Sequence, residues 1–292
     1  MRKSYADQRS AGVPPAARAA ARRPAGGGED AAAAAAEDGG APLKSYAKIN
    51  WALRITGRRA DGFHDLEAVF QTISLHDELT FTPASGLSLT CDEPTIPVDE
   101  TNLVIRAAKA VGADNVAIHL RKRIPAGGGL GGGSSNAAAV LQQFGRDNLP
   151  ELALSLGSDV PFFLLGGTAY ATGRGEVLTP MPPMANIPLL LLLPEERMLT
   201  KEAFARVTRY SPPLGLDAYR DFANFTNDFE EPVFAMLPRL ATLKARLYDA
   251  GATWAGMSGS GSTIVGAFAD DRSRDRAAER FADVRTERCV TR

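Results

Sequence analysis

Histidine and cysteine are scarce in this chain of 292 residues, with three of the first and two of the second. His64, His76 and His119 are scattered, and Cys91 and Cys289 show no paired spacing. That excludes a structural zinc site or a disulfide framework and fits a reducing compartment. Charge of one sign is lacking too. A formal net charge of −1 gives no overall electrostatic case for nucleic acid or an anionic membrane as partner. The longest apolar run, Pro188 to Pro194, holds five consecutive leucines and is far too short to span a bilayer. It reads as a fully buried strand. No internal repeat is visible. Large apolar residues are nearly missing from residues 1–42, where Ala, Gly, Pro and Arg dominate. Such a segment cannot bury enough surface to offset its chain entropy and is expected to be a disordered tail. An Arg/Ala-rich start also suits an organelle transit peptide, but Glu29, Asp30, Glu37 and Asp38 argue against it.

Glycine, in contrast, is abundant and concentrated. The run Pro125-Ala126-Gly127-Gly128-Gly129-Leu130-Gly131-Gly132-Gly133-Ser134-Ser135-Asn136 leads straight into Ala137-Ala138-Ala139-Val140-Leu141. Glycines at this density let successive backbone N–H groups turn towards one concave point. Ser134, Ser135 or Asn136 could cap a helix start, and the apolar stretch behind them is a good helix former. A helix N-terminus adds about half a positive elementary charge there, which suits polyphosphate. A flexible linker would have polar, low-complexity flanks, whereas here a strand is predicted before the loop, at Val116 to Leu120, and a helix after it. Gly127, Gly129 and Gly132 also fit G-x-G-x-x-G. A dinucleotide-binding strand, however, would be apolar throughout and run directly into the first glycine. This one alternates, and Arg121 to Pro125 intervene. No G-x-x-x-x-G-K-[ST] is present, which excludes the Walker loop.

Three other segments carry chemistry. In Ser45-Tyr46-Ala47-Lys48-Ile49-Asn50-Trp51-Ala52-Leu53, strict alternation predicts a strand with Ala47, Ile49, Trp51, Leu53 and Ile55 on one face. Lys48 and Asn50 then lie side by side on the other, which by itself reads as a solvated face. In Leu156-Gly157-Ser158-Asp159-Val160-Pro161-Phe162-Phe163, the aspartate reads locally as a helix N-cap. Met257-Ser258-Gly259-Ser260-Gly261-Ser262-Thr263-Ile264-Val265-Gly266 reads as a turn and a strand.

Taken together, these segments resemble the GHMP family of small-molecule kinases. The loop P-A-G-G-G-L-G-G-G-S-S-N-A-A is similar to that family's ATP loop, with an extra glycine and with Asn136 where many members have a small residue. Tyr46-Ala47-Lys48-Ile49-Asn50 is similar to the P-A-K-[IL]-N motif, with Tyr46 replacing the proline, and the segment from Met257 resembles the third family motif, a loop packed beside the nucleotide. The resemblance covers nearly the whole chain beyond Ala41. It implies ATP and Mg²⁺ as cofactors, the metal held mainly through the ATP phosphates. It implies Lys48 and Asp159 as the catalytic pair, Asp159 being the base. For ATP it implies Lys122 and the loop residues Pro125, Ala126, Gly127, Gly128, Gly129, Leu130, Gly131, Gly132, Gly133, Ser134 and Ser135. The stretch Arg59-Ala60-Asp61-Gly62-Phe63-His64 resembles the branch acting on a cytidylyl methylerythritol, phosphorylated at its C2 hydroxyl. On that side the resemblance implies Asn50, Phe63, His64, Asn136, Thr200 and Phe204. Phe63 lacks the hydroxyl of the commoner tyrosine but keeps a stacking face. The short connection between Asn136 and Asp159 departs from many members and bears on how Asp159 is presented.

Strands and helices mixed without a βαβ rhythm predict an α+β fold. Strands are expected near 45–55, 68–73, 77–83, 87–91, 116–120 and 263–268. Helices are expected near 102–111, 134–144, 150–156, 201–208 and 233–250. The prolines at 182–183 suggest a junction, giving a tail (1–42), an N-terminal domain (43–183) and a C-terminal domain (184–292). The resemblance implies that these two are ribosomal-protein-S5-like and ferredoxin-like. A cytoplasmic bacterial setting is expected, with a plastid as the alternative, and the oligomeric state is left open.

Overall fold

A computed structural model describes residues 41–292, so all but the last two residues of the expected tail lie outside it. Two sheets organise the chain. The first is built from β1 (Leu43–Arg58), β2 (His64–Pro83), β3 (Ser88–Cys91), β4 (Val116–Arg121), β5 (Thr168–Thr172) and β6 (Val177–Pro180). β1 runs antiparallel along one edge of β2, whose other edge carries β4 over residues 78–83 and β5 over residues 68–71. The helices of this half are α1 (Leu103–Ala110), α2 (Gly132–Phe144), α3 (Leu149–Leu156) and α4 (Val160–Leu165). Their apolar faces, with Val104, Ala107, Ala138, Leu141 and Val160 among them, pack with Leu79, Ile118 and Leu120 from the sheet.

The second sheet holds β7 (Pro188–Leu193), β8 (Trp254–Met257), β9 (Ile264–Ala267) and β10 (Arg285–Val290), in the antiparallel order β10-β7-β9-β8. Between β7 and β8 lie α5 (Thr200–Ala205), α6 (Glu230–Met236) and α7 (Pro238–Asp249); α8 (Asp271–Ala278) lies between β9 and β10. This split βαβ order, with the last strand beside the first, is the ferredoxin-like arrangement. The five leucines form β7 and are buried almost completely, with Leu189 and Leu191 in one core and Leu190 and Leu192 in the other. A central strand covered on both faces needs no polar alternation. Both cores also draw on the first sheet, through Ile49, Trp51 and Val69 on one side and Leu53, Ile55 and Phe70 on the other.

Several expectations are corrected. The strands expected at 68–73 and 77–83 are one continuous strand, β2. The helix expected over 233–250 is broken at Leu237, because the residue before Pro238 is pushed out of the helical region. The single face expected for Ala47 through Ile55 does not persist. A bulge between Asn50 and Ala52 flips the register, so Leu53 and Ile55 join the opposite core from Ala47, Ile49 and Trp51. Nor is the other face solvated: Lys48 is only 4% and Asn50 1% exposed.

Candidate active site

The glycine loop has the shape of an anion cradle, and its helix starts earlier than expected. α2 begins at Gly132, and its N-cap is Gly131 in the left-handed region, with no side-chain cap. The first-turn N–H groups of Gly132 and Gly133 thus have no partner within the helix. Ser135 and Asn136, expected respectively at the ATP and at the substrate, have their side chains committed behind the loop. The Ser135 hydroxyl donates to the Tyr46 carbonyl at 2.6 Å and also bonds Ser45. The Asn136 amide donates to Ser45 and to Asp77 at 2.9 Å. Ser135 does not line the cavity, and its backbone N–H bonds Gly131 within the helix. Asn136 still borders the cavity, but its amide protons are taken.

Asp77, which sequence reasoning missed, is the hub behind the cradle. It is fully buried and accepts from Lys122 Nζ at 2.5 Å and from the backbone N–H groups of Arg123 and Ile124. Lys122 is thereby held with its ammonium beside Gly132: a Cβ added there would lie 3.1 Å from Nζ. The third glycine segment closes the cradle from outside. Ser258 donates its hydroxyl to Gly129 O at 2.9 Å and accepts the Asn50 N–H. A Cβ on Gly129 would lie 2.0 Å from the Ser258 carbonyl oxygen, so only glycine fits.

Beside this cradle sits the lysine–aspartate pair. The bulges on either side of Lys48 and Asn50 aim both side chains inward. Lys48 Nζ donates to Asn50 Oδ1 at 2.6 Å, lies 3.8 Å from Asp159 Oδ2, and stands 5.1 Å from the Phe70 ring centroid. Burial pushes the Lys48 ammonium below its usual range, and the Asp159 charge and hydrogen bond oppose that shift. The Asn50 amide nitrogen is buried and has no partner. Asp159 occupies the N-cap position of α4, yet its side chain makes no capping bond. The carboxylate is left free to face the cavity.

One cavity of about 1070 Å³ joins these groups to an aromatic cluster. His64 stacks on Phe204 at 4.6 Å and 13°, and Phe204 meets Phe229 edge-on. Phe63 is half exposed, with the Arg174 guanidinium 4.5 Å over its ring. Thr200 lines the cavity beside Phe204 and bonds Ser260 at 2.9 Å. Burial, then the Arg58 charge, holds His64 below the usual imidazole range. Among the described residues the cavity is lined by Lys48, Arg58, Lys122, Arg174 and Lys201 against a single carboxylate, Asp159. That imbalance suits polyanionic ligands. Arg174 and Tyr210 were missed in sequence; the only signals were an Arg in a Gly-Arg-Gly turn and a lone tyrosine before two prolines.

Comparison with known proteins follows the same line. Residues 102–167 match the family model described as GHMP kinases N terminal domain, and residues 214–284 match GHMP kinases C terminal. The chain is 40% identical over 267 residues to "4-diphosphocytidyl-2-C-methyl-D-erythritol kinase" of Chlorobium phaeobacteroides (strain BS1), covering 82% of this chain and 93% of that protein. The chain belongs to the GHMP kinase family. It is a small-molecule kinase of the two-domain α+β fold of that family. A chloroplastic relative of the same name from Oryza sativa subsp. japonica is 42% identical, over 78% of this chain and 65% of that protein. A crystal structure of 4-(cytidine 5'-diphospho)-2C-methyl-D-erythritol kinase superposes with a TM-score of 0.77 at 34% identity, covering 86% of this chain and 99% of that one. The Methanococcus jannaschii mevalonate kinase shares the fold, with a TM-score of 0.64 at 14% identity over 86% and 98% of the two chains.

Proposed function

We propose that this kinase transfers the γ-phosphoryl group of ATP to the C2 hydroxyl of 4-diphosphocytidyl-2-C-methyl-D-erythritol, in the methylerythritol phosphate route to isoprenoid precursors. The observation that carries this reading is one cavity in which the Lys48–Asp159 pair lies between a glycine cradle and a cluster of aromatic rings. In it the ATP phosphates rest on the N–H groups of Gly132 and Gly133, with Lys122 alongside. The cytosine stacks at Phe63 and Phe204, and neutral His64 reads its polar edge. Asn50 uses its unpartnered amide nitrogen to hold the acceptor side. Asp159 takes the C2 hydroxyl proton as the new P–O bond forms and the bond to the β-phosphate breaks, ADP leaving with the electron pair. Lys48 offsets the charge that develops between donor and acceptor.

No group of three or more His, Cys, Asp or Glu side chains that could hold a metal occurs among the described residues. Mg²⁺ fits here as an ion carried by the phosphates, with Ser134 and Asp159 among the oxygen-bearing side chains of the cavity able to complete its shell. When bound, it would spread the charge of the transferring phosphoryl group. We place the domain division between residues 183 and 184. The bacterial relatives and two free cysteines support a cytoplasmic setting, with the plastid as the alternative. The test is ADP release with the cytidylyl substrate, homoserine and mevalonate side by side. Turnover confined to the first supports the reading; preference for either of the others overturns it.

A further inference from the structure

One buried charge lies outside the machinery described so far. Glu67 is 4% exposed on β2, three residues after His64. Strand alternation puts His64, Leu66 and Phe70 on the cavity side, so Glu67 points away from it. Its carboxylate is nevertheless saturated. It accepts the N–H groups of Leu214 at 2.7 Å and Gly215 at 2.8 Å, the Tyr219 hydroxyl at 3.3 Å, and the Tyr170 hydroxyl. Burial would raise its pKa, but these donors together hold it below the usual carboxylate range.

The segment that Glu67 grips begins in the cavity. Tyr210 lines the cavity with its ring 6.1 Å from that of His64. The chain then crosses the outer edge of β1, where Ser211 N–H bonds the Ile55 carbonyl at 2.9 Å. Arg54, paired with Glu67 across the β1–β2 ladder, donates to the Pro212 carbonyl at 3.3 Å. Two prolines later, Leu214 and Gly215 reach the carboxylate on the far face. Gly215 sits at a φ of +80°, where a side chain is disfavoured. The strap thus has one end in the substrate cavity and its anchor behind the sheet.

We propose that Glu67 is a positioning residue: by clamping the Leu214–Gly215 backbone it holds Tyr210 opposite His64 as a further wall of the nucleobase pocket. Two prolines between ring and anchor shorten the slack, so freedom gained at Leu214 passes to Tyr210. The proposal rests on the functional reading above for the identity of the base, but not for the clamp itself.

The experiment compares Glu67→Gln, Tyr210→Ala and the double variant by steady-state kinetics, melting temperature and amide exchange over residues 207–216. Glu67→Gln keeps the shape and loses the charge that both N–H groups share. Faster exchange at Leu214 and Gly215 is expected. The KM for the cytidylyl substrate should rise about tenfold, with kcat and the KM for ATP within about twofold. Tyr210→Ala should give the same KM split without changing exchange at Gly215. The double variant should be no worse than either single one, because both remove the same wall. Multiplicative KM effects, or a rise in the KM for ATP in step with a lower melting temperature, would overturn the proposal and leave Glu67 as a fold-stabilising group. If the parent enzyme instead phosphorylates another alcohol, the functional reading fails, and the same KM split measured on that alcohol decides the clamp.

Discussion

Replacing Asp159 by asparagine removes one charge and one basic site while keeping the shape of the side chain. Two unit charges 3.8 Å apart attract by about 4 kcal/mol at an effective dielectric of about 20, and by about 1 kcal/mol in bulk water. The Asp159 side chain is 38% exposed, so screening favours the lower part of that range, about 1–2 kcal/mol. Loss of the Lys48 pairing alone would then slow turnover by at most about 5- to 30-fold, the limit reached only if the pairing acts wholly in the transition state. Loss of a general base costs about 10²-fold or more. A kcat lowered by about 10²-fold or more is therefore expected, with the KM for ATP unchanged because the phosphates rest on the glycine cradle.

The alternative, that Asp159 is only a helix cap, is separable. Asparagine caps as well as aspartate, so under that reading Asp159→Asn would be nearly silent in both rate and stability. Asp159→Ala would then cost about 1 kcal/mol, or about 2–4 °C in melting temperature for a chain of this size. Since α4 lacks the capping bond, no capping loss is expected: Asp159→Ala and Asp159→Asn should lower the melting temperature alike, by no more than the Lys48 pairing supplies. Steady-state ADP release and a thermal melt on the two variants decide the matter. A near-normal kcat for Asp159→Asn would refute the base assignment, whatever the melts show.

Lys48→Met should lower kcat yet leave the melting temperature unchanged or higher, because burial disfavours the ammonium that it removes. In the intact enzyme the alkaline fall in kcat should begin below pH 10.5, and Asp159→Asn should move it lower still, since Asp159 supports the protonated form. Gly133→Asp places a carboxylate at the first turn of α2, its Cβ in ordinary contact with Leu103, so it should hold or raise the melting temperature while raising the KM for ATP about tenfold or more. Gly131→Val should lose both, because its Cβ would lie 2.6 Å from the Phe163 ring at a φ of +69°. Phe63→Ala should raise the KM for the cytidylyl substrate by the loss of about 1–3 kcal/mol of stacking, at little cost to a fold that leaves this ring half exposed. Acidification should also raise that KM, with an onset below pH 6.5. The neutral His64 ring persists to lower pH than a free imidazole, and the contact is lost only once it protonates.

What was legible in the sequence is what repeats locally. The glycine loop, the strand carrying Lys48 and the leucine strand β7 are each fixed by composition or periodicity within about a dozen residues, and all three stand where expected. The bulge at Asn50–Ala52 was not legible, because it follows from pairing with a strand whose length the local pattern hid. The helix start at Gly132 was misread for a related reason. Ser134, Ser135 and Asn136 are good caps in isolation, but tertiary partners at Ser45, Tyr46 and Asp77 claim the side chains of Ser135 and Asn136. Arg174 and Tyr210 join the cavity through contacts spanning more than 100 residues, with no flanking pattern to announce them.

The uncapped helix and the buried lysine share one physical logic. A serine cap at the start of α2 would satisfy an N–H that a phosphate can otherwise use, and a solvated Lys48 would lose much of its field to water. Both groups are held in place by neighbours that do not themselves line the cavity. Asp77 fixes Lys122 and the backbone leading into the loop, and Ser258 ties Gly129 to Asn50. The Lys48 N–H bonds the Leu130 carbonyl at 3.0 Å, so the strand that carries the lysine also carries the cradle. The Lys48 strand and the glycine loop are therefore joined by a direct backbone hydrogen bond as well as through the Ser258 side chain. In the proposed reaction that connection would hold Lys48 in register with the phosphates on the loop.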